Sequence, residues 1–521
     1  MHNTRHNNKN LPLQYRFLFV LALCGLLSAC FWENYSKTEK VYPLALATPA
    51  SAAELVELVA QASSEGRRIR MTGSGHSHSD VAVTRDYLLT PTNLDQPLVL
   101  DRQRLVNPDA PSLVRVQSGI RLRELNPWLE QQGLALQNMG GYDAQTIVGA
   151  AMTGTHGSGL DYGPIASQIL SMQVVGEGGQ MLQIEPTDGI TADGTFPGVL
   201  EEDPAIPVQL IQDDDIFNAM VVSIGSMGVV YSVVLQVEPK FWLNEIRTLT
   251  TWEQIKTPGG FLDRVMSGLP VDDQQPLDYY ELQYNPYEVD GERSFLITAR
   301  YKSYVDPQGD TVRGEPGTDA LSGLITVVEK PLAWLVKTFP SLTPLLIEQS
   351  LKSQRDDNGY SNVSYKVFNI GVVNNTDAIA VEVAFDLSQS VEAIERAFEL
   401  GEQMREQGLL HSAPASIRFV QASDALIAPQ YGRPTVIIEF IVIQDVEGSK
   451  TLLSSYEQTL MEEFDGRLHW GLDLSVLQGQ EWPGRVYPRW QDWLHIYRQF
   501  NAGTFDGKVT DRLGISIRPQ G

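Results

Sequence analysis

Three stretches of small residues, far apart in the chain, set the tightest limit on what this sequence can build. The first, Gly73-Ser74-Gly75-His76-Ser77-His78-Ser79, comes one residue after Arg68-Ile69-Arg70-Met71, which reads as a short strand. The second runs Gly149-Ala150-Ala151-Met152-Thr153-Gly154-Thr155-His156-Gly157-Ser158-Gly159. The third spans Phe217 to Val230, where Gly225 and Gly228 break a largely apolar segment. Glycine admits positive φ and lets another group come up against the main chain, and successive N–H groups in a turn can cradle an anion. A strand opening into such a loop is suited to a pyrophosphate. It is not a P-loop, since no Gly-Lys-Ser/Thr follows, and the third glycine of the dinucleotide fingerprint is missing. Alone, the first stretch also reads as a polar turn, or as metal ligands His76-x-His78-x-Asp80 on one strand face. Together, the three imply a large flat ligand pressed against backbone in several places.

The remainder of the composition narrows the class. The chain has 521 residues, 42% of them hydrophobic and 9% aromatic, which is globular and not disordered. That length suits two to four domains or subdomains. With 39 bases against 64 acids the net charge is -25, which argues against the basic face that a nucleic-acid partner needs. Only Cys24 and Cys30 are present, so no disulfide framework exists. Residues 1–16 carry Arg5, Lys9 and Arg16 and no acid. The apolar run Phe17 to Ala29 that follows is too short to span a bilayer comfortably. This is the pattern of an export signal. Its end, Leu27-Ser28-Ala29-Cys30, resembles the lipobox of bacterial lipoproteins. The resemblance implies cleavage before Cys30 and acylation of that cysteine, and two or more acyl chains anchor stably. An ordinary signal peptide or a short anchor helix is the alternative. Phe31, not Asp, follows the cysteine, so the expected location is the bacterial cell envelope, on the outer membrane facing the periplasm. Loss of Cys24 and modification of Cys30 leave no free thiol, which suits an oxidising compartment. No twin-arginine pair precedes the apolar run, so export is expected to be unfolded.

Beyond the signal at 1–29, residues 30–45 read as a tether. A first domain is expected over 46–240, where short strands and helices alternate. Ser51 precedes Leu55, Leu58, Val59 and Ala62 on one helical face, predicting a helix to Gly66. A strand is expected at 113–119 and a helix at 122–133. Residues 185–215 hold nine acids, four prolines and no Lys or Arg. They lack the regular ligand spacing of a calcium loop and read as a solvated surface insertion. A second domain is expected over 241–455, with strands at 278–284, 361–369, 378–387, 416–421 and 435–443 and amphipathic helices near 389–407 and 450–464. Strands with helices packed on one side make it α+β. Residues 456–521 read as a C-terminal segment closing the active site. No internal repeat is visible.

The order and wording of the three loops resemble the vanillyl-alcohol oxidase superfamily of flavoproteins, and within it the aldonolactone (gulonolactone, arabinonolactone) and alditol oxidases. That family reads G-x-G/R-H-S/T, then T-G-T-H-G-S/T-G, then G-x-x-G-V, and all three occur here in order between 70 and 230. Ser416-Ile417-Arg418-Phe419, the run Leu426 to Arg433, His469-Trp470-Gly471 and Val486-Tyr487-Pro488 fit as well. The resemblance thus runs from about residue 50 to 510. It implies a two-domain α+β flavoprotein holding FAD through Gly73, Ser74, Gly75, His76 and Ser77 of the first loop. From the second it implies Gly149, Thr153, Gly154, Thr155, His156, Gly157 and Gly159, and beyond it Gly225, Gly228, Val229 and His469. The family bonds the first-loop histidine to the flavin 8α-methyl group, which here is His76. A second, cysteinyl bond is excluded by the absence of a mature cysteine. His78 is expected to be a satisfied neighbour, and His156 a structural or flavin-contacting group.

The substrate side departs from the family. Sugar-oxidising members read E-x-R where this chain has Ser416-Ile417-Arg418, and H-W-G/A-K where it has His469-Trp470-Gly471-Leu472. The His and Thr of alditol oxidases match Glu439 and Ile441. Arg418 can place positive charge beside reduced flavin or a developing alkoxide. Glu439 interrupts an apolar strand, and a lone buried carboxylate is costly unless paired. One reading pairs it with Arg418 as a replacement general base; the other points it to solvent at an edge. Glu281 and Glu382 are further candidates. The implied activity is oxidation of a CH–OH donor (sugar lactone, alditol or related alcohol) by hydride transfer to flavin, with O2 reoxidising it to give H2O2. Alternatives are a sterol- or lipid-alcohol oxidase, a periplasmic dehydrogenase using another acceptor, and a non-catalytic binding lipoprotein. Three intact backbone-approach sites speak against the last.

Overall fold

The computed structural model describes residues 31–110, 112–269, 277–307, 338–370, 378–443 and 446–518, without the side chains of 357 and 358. The expected signal and its Cys30 lie outside these residues. Among the described residues no helix is long and apolar enough to cross a membrane.

Ser51 accepts a hydrogen bond from the Glu54 N–H and opens the helix Ala52–Ser64. Its buried stripe of Leu55, Leu58, Val59 and Ala62 shares one core with Ile69, Tyr87 and Leu89. Those last three come from a parallel three-stranded sheet, in which Tyr87–Leu89 lies between Ala45–Ala47 and Ile69–Met71. A six-stranded sheet follows in the order Val208–Gln212, Met181–Glu185, Ile169–Val175, Val229–Gln236, Leu113–Gln117, Pro97–Leu98.

Between Pro239 and Trp242 the chain passes into an eight-stranded antiparallel sheet. Its order is Asp356–Val363, Trp242–Thr251, Ser294–Ser303, Tyr279–Tyr284, Ala415–Val420, Thr435–Ile443, Ala378–Asp386, Arg467–Leu468. Helices Ser390–Glu406 and Ser449–Phe464 join its core. The second has Gly448 at its N-cap and no side-chain cap bond, so packing must hold it. Leu452, Leu453, Tyr456 and Leu460 are buried there, at about 1.5–3 kcal/mol each for a large apolar side chain.

The structure corrects four expectations. Residues 31–47 are not a tether: Trp32–Glu33 pairs with Lys40–Val41 as a hairpin, and Ala45–Ala47 joins the parallel sheet. The reason is local polar closure invisible to a hydrophobicity pattern. Asn34 is buried, accepts from the Glu39 N–H and donates to Ser36, Thr38 and the Ser77 carbonyl. The acidic stretch is not simply solvated. Glu185 is fully buried and accepts from both the N–H and the hydroxyl of Thr191, while Glu201 and Glu202 hold buried Arg115 at 3.1 and 2.6 Å. The strand expected over 361–369 stops at Val363 and turns into the short helix Ser364–Phe368, because burying both Val367 and Phe368 needs a turn and not alternation. The C-terminal segment divides. Its tail returns to the three-stranded sheet, where Ile69 N–H meets the Thr504 carbonyl at 2.7 Å and Arg68 meets Asp511 at 2.7 Å.

Candidate functional site

A cleft of about 350 Å³ separates the glycine-rich loops from one face of the eight-stranded sheet. Gly73, Ser74, Gly75, His76 and Ser77 line it, with Gly73 and Gly75 at φ +59° and +72°. A Cβ on Gly75 would stand 3.1 Å from the Trp32 ring, so the position serves a close approach as well as a left-handed turn.

The His76 imidazole stacks on Tyr142 at 3.9 Å between centroids and meets Tyr35 at 4.7 Å. Its Nδ1 is buried with no hydrogen-bond partner among the described residues. Burial, with His78 adding to it, pushes the His76 pKa down to about 3. The imidazole is thus neutral at working pH. His78 is a satisfied neighbour: its Nδ1 accepts from Ala380 N–H at 3.2 Å, and its own main-chain N–H donates to the Gly471 carbonyl.

In the second loop Gly149, Thr153, Thr155 and His156 line the cleft. Gly154, Gly157 and Gly159 do not, and their near neighbours are protein atoms. A Cβ on Gly157 would lie 2.1 Å from Asn138 Oδ1, one on Gly154 2.9 Å from Pro429, and Gly159 donates to the Phe419 carbonyl at 2.6 Å. These glycines let the loop approach protein. In the third stretch Gly225, Gly228 and Val229 reach the cleft.

Arg70, which sequence reasoning passed over, joins the first and third stretches. It is buried, lines the cleft, and donates to the main-chain oxygens of Val81, Ile224, Gly225 and Phe505. It thereby pins Ile224, a non-glycine residue at φ +51°.

Strand register builds the opposite wall. Glu281 pairs with Arg418, Gln283 with Ser416, Ser416 with Glu439, and Glu439 with Glu382. Because strand side chains alternate, all these residues share one face. All of them line the cleft, as does His469. Arg418 lies 2.6 Å from Glu439, 3.0 Å from Glu382 and 3.5 Å from Glu281. Behind it Arg300 bridges Glu281 and Glu245 at 3.0 and 2.8 Å, and Arg247 meets Glu245 at 2.9 Å. Glu382 also faces His156 at 3.4 Å and His469 at 4.0 Å.

These carboxylates are not equivalent. Burial pushes Glu439 above the usual carboxylate range, with Arg418 opposing and Glu382 adding. For Glu382 burial acts the same way, but His156, His469 and Arg418 outweigh it and hold the group well below that range. Glu281 is likewise held low, since Arg300, Arg418 and Arg247 overcome its burial. Arg418 keeps its proton firmly: burial weakens the charge, and Glu439, Glu281 and Glu382 more than restore it. Two carboxylates are committed to charge neutralisation; the third is poised nearer the proton-accepting range.

FAD fits these residues. Five glycines of the three stretches open the cleft wall to a flat ligand, Arg70 sets a positive charge behind the loops, and His76 presents a neutral nitrogen with no hydrogen-bond partner among the described residues. Among the described residues no group of three His, Cys, Asp or Glu could hold a metal ion, and Asp80 of the His76-x-His78-x-Asp80 reading is taken by Arg512 at 2.7 Å.

Two family models match parts of this chain. Residues 43–185 match the family model for an FAD binding domain, and 320–512 the model for D-arabinono-1,4-lactone oxidase. The chain is 28% identical over 447 residues to the L-gulono-1,4-lactone dehydrogenase of Mycobacterium tuberculosis, covering 84% of this chain and 89% of that one. It is 24% identical over 457 residues to the L-gulonolactone oxidase of Mus musculus, covering 84% and 88%. Among solved structures a solvent-stable cholesterol oxidase superposes with a TM-score of 0.68 at 14% identity, covering 93% of this chain and 97% of that one. That last likeness is one of fold.

Proposed function

This chain belongs to the aldonolactone oxidase family of vanillyl-alcohol-oxidase-type flavoproteins and is an FAD-dependent oxidoreductase, and on that premise we propose that it oxidises a ring or chain CH–OH of a sugar lactone or alditol. The observation that carries the proposal is the charged sheet face, set across the cleft from the loop that bears His76. Bound FAD supplies a two-electron acceptor. Glu439, raised by burial, takes the hydroxyl proton. Arg418 stabilises the negative charge that grows on the substrate oxygen, while Glu281 and Glu382 hold the guanidinium in place. Glu439 lies directly across the strand pair from Ser416, so it serves the position where relatives carry a glutamate two residues before the arginine. His76 would hold FAD covalently, and O2 would serve as the final electron acceptor. Anaerobic mixing of the flavin-loaded protein with L-gulono-1,4-lactone, D-arabinono-1,4-lactone and a panel of alditols tests the proposal. Bleaching of the flavin band by one of them supports it; an unbleached flavin with all of them overturns the substrate class.

One observation favours a second reading. Ala378, Ala380, Ile441 and Leu472 line the same cleft and offer no hydrogen bonds to a polyol. A less polar alcohol, such as a sterol, suits that part of the wall, and bleaching by such an alcohol alone would select it.

For location we propose a lipid anchor at Cys30 in the bacterial envelope. Tyr42, Leu44 and Leu46, on alternate residues just beyond it, are exposed at 58, 55 and 37%, a solvent-facing apolar stripe that suits a membrane surface. Fatty-acid labelling that persists in Cys30→Ser would remove this part.

A further inference from the structure

The hairpin that opens the described chain has one side against the loop that carries His76, and its contacts there are specific. Tyr35 N–H donates to the Gly75 carbonyl at 2.8 Å. Asn34 Nδ2 donates to the Ser77 carbonyl at 2.7 Å, and the Thr38 hydroxyl to the His78 carbonyl at 2.8 Å. The main-chain oxygens on both sides of His76 are thus held from the hairpin. Trp32 covers Gly75, and the Tyr35 ring closes a second side of the imidazole whose face rests on Tyr142. Nothing in the backbone-approach role of the loop requires this. A loop that only cradled an anion would need its N–H groups aimed, not its carbonyls clamped.

We propose that residues 32–41 are a positioning element for covalent flavin attachment: docking of this hairpin fixes the direction of the His76 imidazole, and Tyr35 keeps water from it. The proposal rests on the reading that FAD is bonded to His76. Attachment exchanges one C–H of the 8α-methyl group and the imidazole N–H for a C–N bond. The two electrons and two protons removed end on dioxygen as hydrogen peroxide. The imidazole nitrogen must bring a lone pair, and a ring rotated away or protonated brings none. Burial already keeps the ring neutral; the hairpin adds the aim. Asn34 and Tyr35 meet the loop at Gly75, His76 and Ser77, so their effect on attachment runs through the loop that carries His76.

The test uses the full chain, made flavin-free under riboflavin limitation, then given FAD in air. Aliquots are quenched in acid and scanned for flavin fluorescence on a denaturing gel, while non-covalent FAD binding and Tm are measured in parallel. Wild type acquires a fluorescent band. Tyr35→Ala and Asn34→Ala are expected to bind FAD yet acquire the band at least about tenfold more slowly, and Tyr35→Phe, which keeps the ring, to match wild type. If Tyr35→Ala does not fold, Tyr35→Leu takes its place. Attachment at the wild-type rate in the alanine or leucine variants overturns the positioning role and leaves the His76 bond standing. A wild-type chain that releases all its flavin on denaturation overturns both, and a slow Tyr35→Phe assigns the effect to the hydroxyl and refutes the ring argument.

Discussion

Replacing Glu439 with Gln separates the proposed base from its structural neighbours. The substitution keeps shape and removes the carboxylate that burial has raised above its ordinary range. Arg418 retains Glu382 at 3.0 Å and Glu281 at 3.5 Å, so no buried cation is orphaned. A group whose pKa is raised in the fold contributes its full stability below its unfolded pKa, and that contribution is lost as pH rises through the folded value. At neutral pH Glu439→Gln should therefore leave Tm unchanged or slightly higher. Flavin reduction should fall ~10²–10⁴-fold, the usual worth of a positioned base. That is roughly 2.7–5.5 kcal/mol of barrier at about 1.4 kcal/mol per tenfold. The wild-type rate should decline as pH drops through the Glu439 pKa, and this acid limb should vanish in the variant. Anaerobic stopped-flow reduction across pH is the assay, because it isolates proton and hydride removal from reoxidation. A variant that reduces its flavin within about threefold of wild type, or that keeps the acid limb, refutes the reasoning.

Three other outcomes are expected. Arg418→Met takes from Glu439 its ion-pair partner and leaves Glu281 to Arg300 and Glu382 to His156 and His469; breaking the buried pair should cost about 3–5 kcal/mol, read as a fall in Tm that Arg418→Lys partly restores. Glu382 is held below its ordinary value of 4.5, so its stabilisation is present above that pH and lost as pH falls further; acid unfolding of Glu382→Gln should be flatter than that of wild type. Gly228 sits at φ +129°, where a Cβ would meet Val174 Cγ1 at 2.4 Å. Gly228→Ala should lower both Tm and flavin retention, and a variant with unchanged retention would show that the third stretch tolerates a side chain.

The chain told most where one rule governs a whole segment. Period-two alternation is enough to put Glu281, Arg418, Glu439 and Glu382 on one face once their strands are neighbours, and glycine spacing marks the three loops. The sequence was silent where function depends on pairing across long separations. Nothing local links Arg70 to residues 224 and 505, or Glu245 and Arg300 to a cluster centred on Arg418. Single glycines were equally ambiguous. Gly157 and Gly149 look alike in sequence, and only the position of Asn138 shows that one of them faces protein. The hairpin was hidden for a related reason: its stability comes from Asn34, Ser36 and Thr38 satisfying one another, and such residues read as loop wherever they occur.

That hairpin also shortens the leash. From Cys30 to Tyr35 is five residues, at most about 18 Å of extended chain, and the Tyr35 ring already touches His76. An acylated Cys30 would therefore hold the redox loop close above the lipid, without the swing a free tether allows. An enzyme mounted this way samples a thin layer of solution beside the bilayer. Its turnover in a cell would follow how much substrate and acceptor that layer holds, and would be indifferent to their concentration a few protein diameters away.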